Sequence, residues 1–148
     1  MKVSAPNLLI CLLCCYGLSV RAVTTDTLAE AQAKAEALRP EECVRVCIDL
    51  AQRELNDAKF QFIQGDSEKA KVTLQSVAAH AEKATDGGIL GRKREKQLEI
   101  ELRQISHRLG DLKRTLPYED QASAQAVMDE MEKLRTRLLE SMFPKGKK

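Results

Sequence analysis

Apolar residues in this chain return at steps of three and four through one stretch after another, and that spacing constrains the fold more than any other feature. Val44, Ile48, Ala51, Leu55, Ala58 and Phe62 follow it first, then Ala70, Leu74, Val77, Ala81 and Ala84. Leu98, Leu102, Ile105, Leu109, Leu112 and Leu116 make a third set, and Ala124, Val127, Met131, Leu134 and Leu138 a fourth. At about 3.6 residues per turn each set lies along one side of an α-helix, as the stripe that one helix presents to another. The core must be built from Leu, Ala, Val, Ile and Met, because the chain has no Trp and only 3% aromatic residues. These features predict an all-α protein, an antiparallel helical bundle of three long or four shorter helices.

Helix boundaries are written between the stripes. Thr27 with Glu30 forms the Ser/Thr-x-x-Glu capping box of a helix start, and Leu28, Ala31, Ala35 and Leu38 give a short leading helix over Thr25 to Leu38. Pro40 then interrupts or kinks it, since proline removes a backbone donor and disfavours helical geometry at Arg39. Gly65 supplies a stop and Asp66 a cap for the next helix, so the chain turns back within a few residues, and short connections make antiparallel neighbours. Pro117 ends one segment and begins another, with Glu119 and Asp120 in its first turn. The last helix ends near Phe143 and Pro144.

The stretch Asp86-Gly87-Gly88-Ile89-Leu90-Gly91 admits two readings. Three glycines, each costing a helix interior about 1 kcal/mol relative to Ala, read as a loop. Continuing the spacing through them, however, leads from Ala84 to Gly88, Gly91, Glu95 and Leu98 with no slip in phase. That favours one long helix from Asp66 to Thr115, bent near Gly87–Gly91 and about 75 Å long at about 1.5 Å per residue. If the glycines turn the chain instead, the same stripes fold into a compact four-helix bundle.

Residues 1–22 read as a cleaved secretory signal. Lys2 precedes an apolar run from Leu8 to Val20, and Val20-Arg21-Ala22 suits signal peptidase. The run is shorter than the roughly 20 residues that span a bilayer, and charges interrupt every later apolar stretch, so no transmembrane segment is expected in the mature chain. One helical domain is expected over residues 23–144, with a disordered basic tail over residues 145–148, in the periplasm or outside the cell. Lys2 and Arg21 leave with the signal, which turns 24 basic against 22 acidic residues into an even balance and argues against a nucleic-acid binder.

Of five cysteines only Cys43 and Cys47 then remain, too few for a disulfide scaffold. Four residues apart on a helix, they share one face, the spacing at which two thiolates reach one metal ion, whereas a disulfide between them would strain the helix. Their place beside Val44 and Ile48 fits ordinary packing better. His80 and His107 read as surface residues, and Met128 and Met131 as gap-fillers between helices rather than copper ligands. Arg92, Lys93, Arg94 and Lys96 form the densest basic run, suited either to a solvated face or to an anionic surface. Ala58, Phe62, Gly65, Lys69-Ala70 and Leu74 resemble one tetratricopeptide helix pair, but no second copy follows at the period of about 34 residues.

No nucleophile elbow, phosphate-cradling glycine loop or His-Glu-x-x-His helix is present, so neither catalysis nor a cofactor is expected. The expected function is that of a non-enzymatic interaction or structural protein of the cell envelope. It would act through helix-to-helix contacts with a protein partner or with its own copies. A metal-binding bundle using Cys43 and Cys47 is the alternative.

Overall fold

The computed structural model describes residues 27–92 and 94–144. The expected signal, Lys93 and the residue 145–148 tail lie outside them. The described residues form five α-helices, α1 (Leu28–Ala37), α2 (Pro40–Ile63), α3 (Ser67–Gly91), α4 (Glu95–Thr115) and α5 (Tyr118–Met142), and no strand among them. The protein is an all-α helical bundle.

Each boundary has a local cause. At α1 the capping box is complete, with the Thr27 amide donating to Glu30 Oε2 at 3.1 Å and the Glu30 amide to Thr27 Oγ1 at 3.4 Å. Pro40 does not kink a helix but opens one, because at the first position its missing N–H would have had no partner. Gly65 closes α2 at φ +84°, a left-handed conformation that glycine adopts freely. Asp66 occupies the cap position of α3 yet makes no side-chain cap bond, contrary to expectation.

The continuous helix from Asp66 to Thr115 is not what forms. Helix α3 runs through Gly87 and Gly88 and breaks at 92–94, where Arg92 (φ 47°) and Arg94 (φ 62°) both adopt left-handed backbone. Gly88 serves close packing: a Cβ there would lie 2.6 Å from Leu98 Cδ2. Reversal wins because it returns the Leu98–Leu116 stripe to the bundle, where Leu98, Leu102, Ile105, Leu109, Leu112 and Leu116 are all buried. A straight helix would carry that stripe away from α2 and α3. Preserved phase reflects two helices that each carry a good stripe.

The bundle is two antiparallel hairpins. Thr73 Oγ1 donates to Gln61 Oε1 near the α2–α3 turn, and in the other hairpin Lys113 meets Gln125 at one end while Arg135 meets Glu99 towards the other. The hairpins join mainly through α3 and α5, which run parallel: Ser67 and Lys71 hold Asp120 at their N-termini, and Arg137 pairs with Asp86 at the far end. Two positive helix ends thus share the Asp120 carboxylate. Helices α2 and α4, also parallel, meet thinly through Gln52–Glu101 and Arg108–Asn56. Helix α1 lies back along α2, and the core runs the length of the bundle.

Candidate functional site

The most deeply buried carboxylate among the described residues lies where α1 covers the α2–α3 hairpin. Glu54 on α2 is 1% exposed. Its stripe neighbours Ala51, Leu55 and Ala58 carry it into the core, so its carboxylate must find partners there. Gln32 Nε2 on α1 donates to Glu54 Oε1 at 3.1 Å, and His80 Nδ1 on α3 lies 2.8 Å from Glu54 Oε2. One carboxylate therefore fastens three helices. The Glu54 bond raises His80 above the ordinary imidazole range, against the opposing effects of burial and of Lys83. Lys83, one turn along α3, adds a second fastening by donating from Nζ to the Ala35 carbonyl at 2.9 Å.

Cys43 and Cys47 lie in the same part of the core, both fully buried. Burial, and then the hydrogen bond and charge of Cys43, push the Cys47 thiol up to about 12, with Lys83 pulling weakly the other way. A thiol so held resists becoming the thiolate that binds metal or attacks a substrate. No group of three His, Cys, Asp or Glu residues among the described residues is arranged to hold a metal ion. The pair has the spacing of a soft-metal site without its further ligands.

Two more clusters are structural. Asp120, buried at the start of α5, accepts from Ser67 Oγ at 2.8 Å and from Lys71 Nζ at 3.0 Å, and these bonds hold its carboxyl below the usual range. Glu99 accepts from Arg135 and Arg103 and is lowered likewise, first by Arg135. His107 is exposed beside Asp111, and Met131 is buried in the core with Met128 packed against it. The basic run and the later basic residues of α4 behave differently. Arg103, Arg108, Lys113 and Arg114 pair with neighbours, whereas Arg92, Arg94 and Lys96 are exposed and make no ion pair or side-chain hydrogen bond among the described residues.

No protein-family model matches the chain, and no curated protein or solved structure matches it either.

What the geometry offers chemically is limited. Every buried side-chain nitrogen or oxygen among the described residues has a hydrogen-bond partner within the protein. Two concavities are open grooves between α2 and α4, lined by surface charges with Leu55 and Leu112 at the floor of one and Val44 and Ile48 at that of the other. No described helix is long and apolar enough to cross a membrane.

Sequence reading missed Glu54 and His80 because a buried carboxylate looks like any other Glu until a partner helix is placed. One signal was available: Glu54 falls beside Leu55 and four residues before Ala58, on the edge of the buried stripe.

Proposed function

We propose that this protein is a non-enzymatic, exported helical-bundle protein that works through helix-to-helix contact with a second copy of itself. The observation that carries the reading is how its polar and apolar groups are divided. The buried carboxylates Glu54 and Asp120 fasten helices to one another, while large apolar side chains stand exposed on outward helical faces. Phe60 on α2 and Val72 on α3 are two of these, and the Gln61–Thr73 bond puts them at the same level of the hairpin. Amphipathic α1 already packs on this hairpin through Leu28, Ala31, Ala35 and Leu38. Such a hairpin accepts a further helix.

A second copy is the occupant favoured by charge. Exposed Asp57 and Glu68 alternate with exposed Lys59 and Lys69 around Phe60 and Val72. A rim of both signs can complement itself across a twofold axis. The test is native mass spectrometry with light scattering on the chain from Val23 to Lys148, which contains all five helices. A dimer that becomes monomeric in Phe60→Glu with Val72→Glu supports the reading. A monomer at every concentration, or a dimer indifferent to that pair, refutes it.

A further inference from the structure

One end of the bundle gathers features that the fold does not use. Leu90, in the last turn of α3, is 69% exposed, and Phe143, just beyond α5, is 67% exposed. Between them the α3–α4 turn presents Arg92, Arg94 and Lys96, without ion-pair partners among the described residues. One surface cleft is lined by Arg92, Arg94, Glu95, Lys96, Met142 and Phe143, which places aromatic ring and cations side by side. Of the acids at this end, Asp86 is paired with Arg137, Glu95 lies in the same cleft and accepts only from Ser141 Oγ, and Glu140 is exposed in the last turn of α5. Three exposed cations thus outnumber the two unpaired carboxylates, and this end carries a net positive charge among the described residues.

The turn is also expensive to build this way. Left-handed backbone costs a residue with a Cβ about 1–2 kcal/mol, and glycine or asparagine relieves it. Arginine stands at both left-handed positions. A turn selected for stability alone would not carry two arginines there, so what they contact outside the chain is the natural reason for them.

We propose that this end of the bundle docks on an anionic lipid surface, with Arg92, Arg94 and Lys96 against the headgroups and Leu90 and Phe143 reaching into the boundary below. Exposed apolar side chains beside cations, as Phe143 is in the cleft and Leu90 is two residues before Arg92, are the pairing an interfacial anchor uses. A polyanion chain in water would engage the cations but leave Leu90 and Phe143 without a role. The cations sit at one tip, not along a stripe that a linear polymer could follow. This surface lies apart from Phe60 and Val72, so its failure and the failure of self-association are distinguishable.

Binding of the Val23–Lys148 chain is measured by flotation with vesicles of phosphatidylglycerol and with vesicles of phosphatidylcholine, and in parallel on immobilised heparin. The expected result is binding to the anionic vesicles and not to those of phosphatidylcholine, weakening as salt rises, with a weaker and purely electrostatic retention on heparin. Each cation near such a surface contributes about fivefold, so Arg92→Asn, Arg94→Asn and Lys96→Gln together lower affinity on the order of a hundredfold. Asparagine suits the left-handed turn, and a melting temperature no lower than that of the wild type shows that the fold is kept. Leu90→Ser with Phe143→Ser should weaken vesicle binding about tenfold or more while leaving heparin binding unaltered. No binding to anionic vesicles at low salt overturns the proposal. Vesicle binding that ignores the Leu90 and Phe143 pair also overturns it, because charge alone then accounts for the binding.

Discussion

Replacing Glu54 with Gln removes the buried charge from the α1–α2–α3 clasp while keeping its size and its capacity for hydrogen bonds. Glu54 is nearly inaccessible, and His80 reaches it at 2.8 Å with a side chain only 19% exposed. The imidazole therefore titrates higher in the folded protein than its ordinary value of about 6.5. Between those two values the folded chain holds a proton that the unfolded chain has lost, so stability falls as pH rises. The contribution is fully present below about pH 6.5 and gone once pH passes the folded value. Each unit by which the clasp raises His80 amounts to about 1.4 kcal/mol. Lys83, the nearby cation, works against it, and the depressed carboxyls of Asp120 and Glu99 titrate in acid, outside this window. Urea unfolding from pH 5.5 to 9.5 should show the wild type losing stability across the window and Glu54→Gln losing much less. Parallel curves for the two proteins would refute the account. His80→Ala tests the same clasp from the other side: it strands Glu54 with only Gln32 and should cost about 3–5 kcal/mol at neutral pH.

Gly88→Ala gains about 0.5–1 kcal/mol of helix propensity but forces Leu98 aside at about 1–3 kcal/mol, so thermal unfolding should show a net loss near 1 kcal/mol that Leu98→Ala in the same chain partly relieves. Asp120→Asn should flatten the stability lost on acidification below the ordinary carboxylate range, because a carboxyl held low stabilises the fold above that range and ceases to do so as pH falls through its folded value. Cys47 should resist a soluble thiol reagent at pH 8 in the folded chain and react on denaturation, as followed by mass spectrometry. Reduced protein equilibrated with Zn(II) should retain well under one ion per chain by elemental analysis; stoichiometric metal lost on Cys43→Ala with Cys47→Ala would restore the metal-binding reading.

The helices and the core were legible because repeated spacing is a one-dimensional signal. Leu98, Leu102, Ile105 and Leu109 carry their own burial in their intervals, and the Thr27 and Pro40 boundaries needed only nearest neighbours to explain them. The path of the chain between α3 and α4 was not, since Gly88 makes room for Leu98, a contact that exists only after the chain has turned. Asp120 was read as an acid suited to a helix start, which it is. That it also binds Lys71 follows from the parallel packing of α3 and α5, and no local pattern encodes that. Clasps between helices are products of tertiary structure, whereas stripes are its cause.

The turn at Arg92 and Arg94 joins two hairpins that are each complete within their own stretch of chain. Straightened into helix, it would release both left-handed residues and preserve the spacing from Ala84 to Leu98. Each hairpin would then find its complementary half in another molecule, with every α3–α5 contact intact. A short, strained hinge between two self-contained halves is the geometry that invites domain swapping. The expected outcome of concentrating or mildly destabilising the chain is an intertwined dimer built around one long helix, which native mass spectrometry would detect and which Arg92→Gly with Arg94→Gly, by favouring the turn, should suppress.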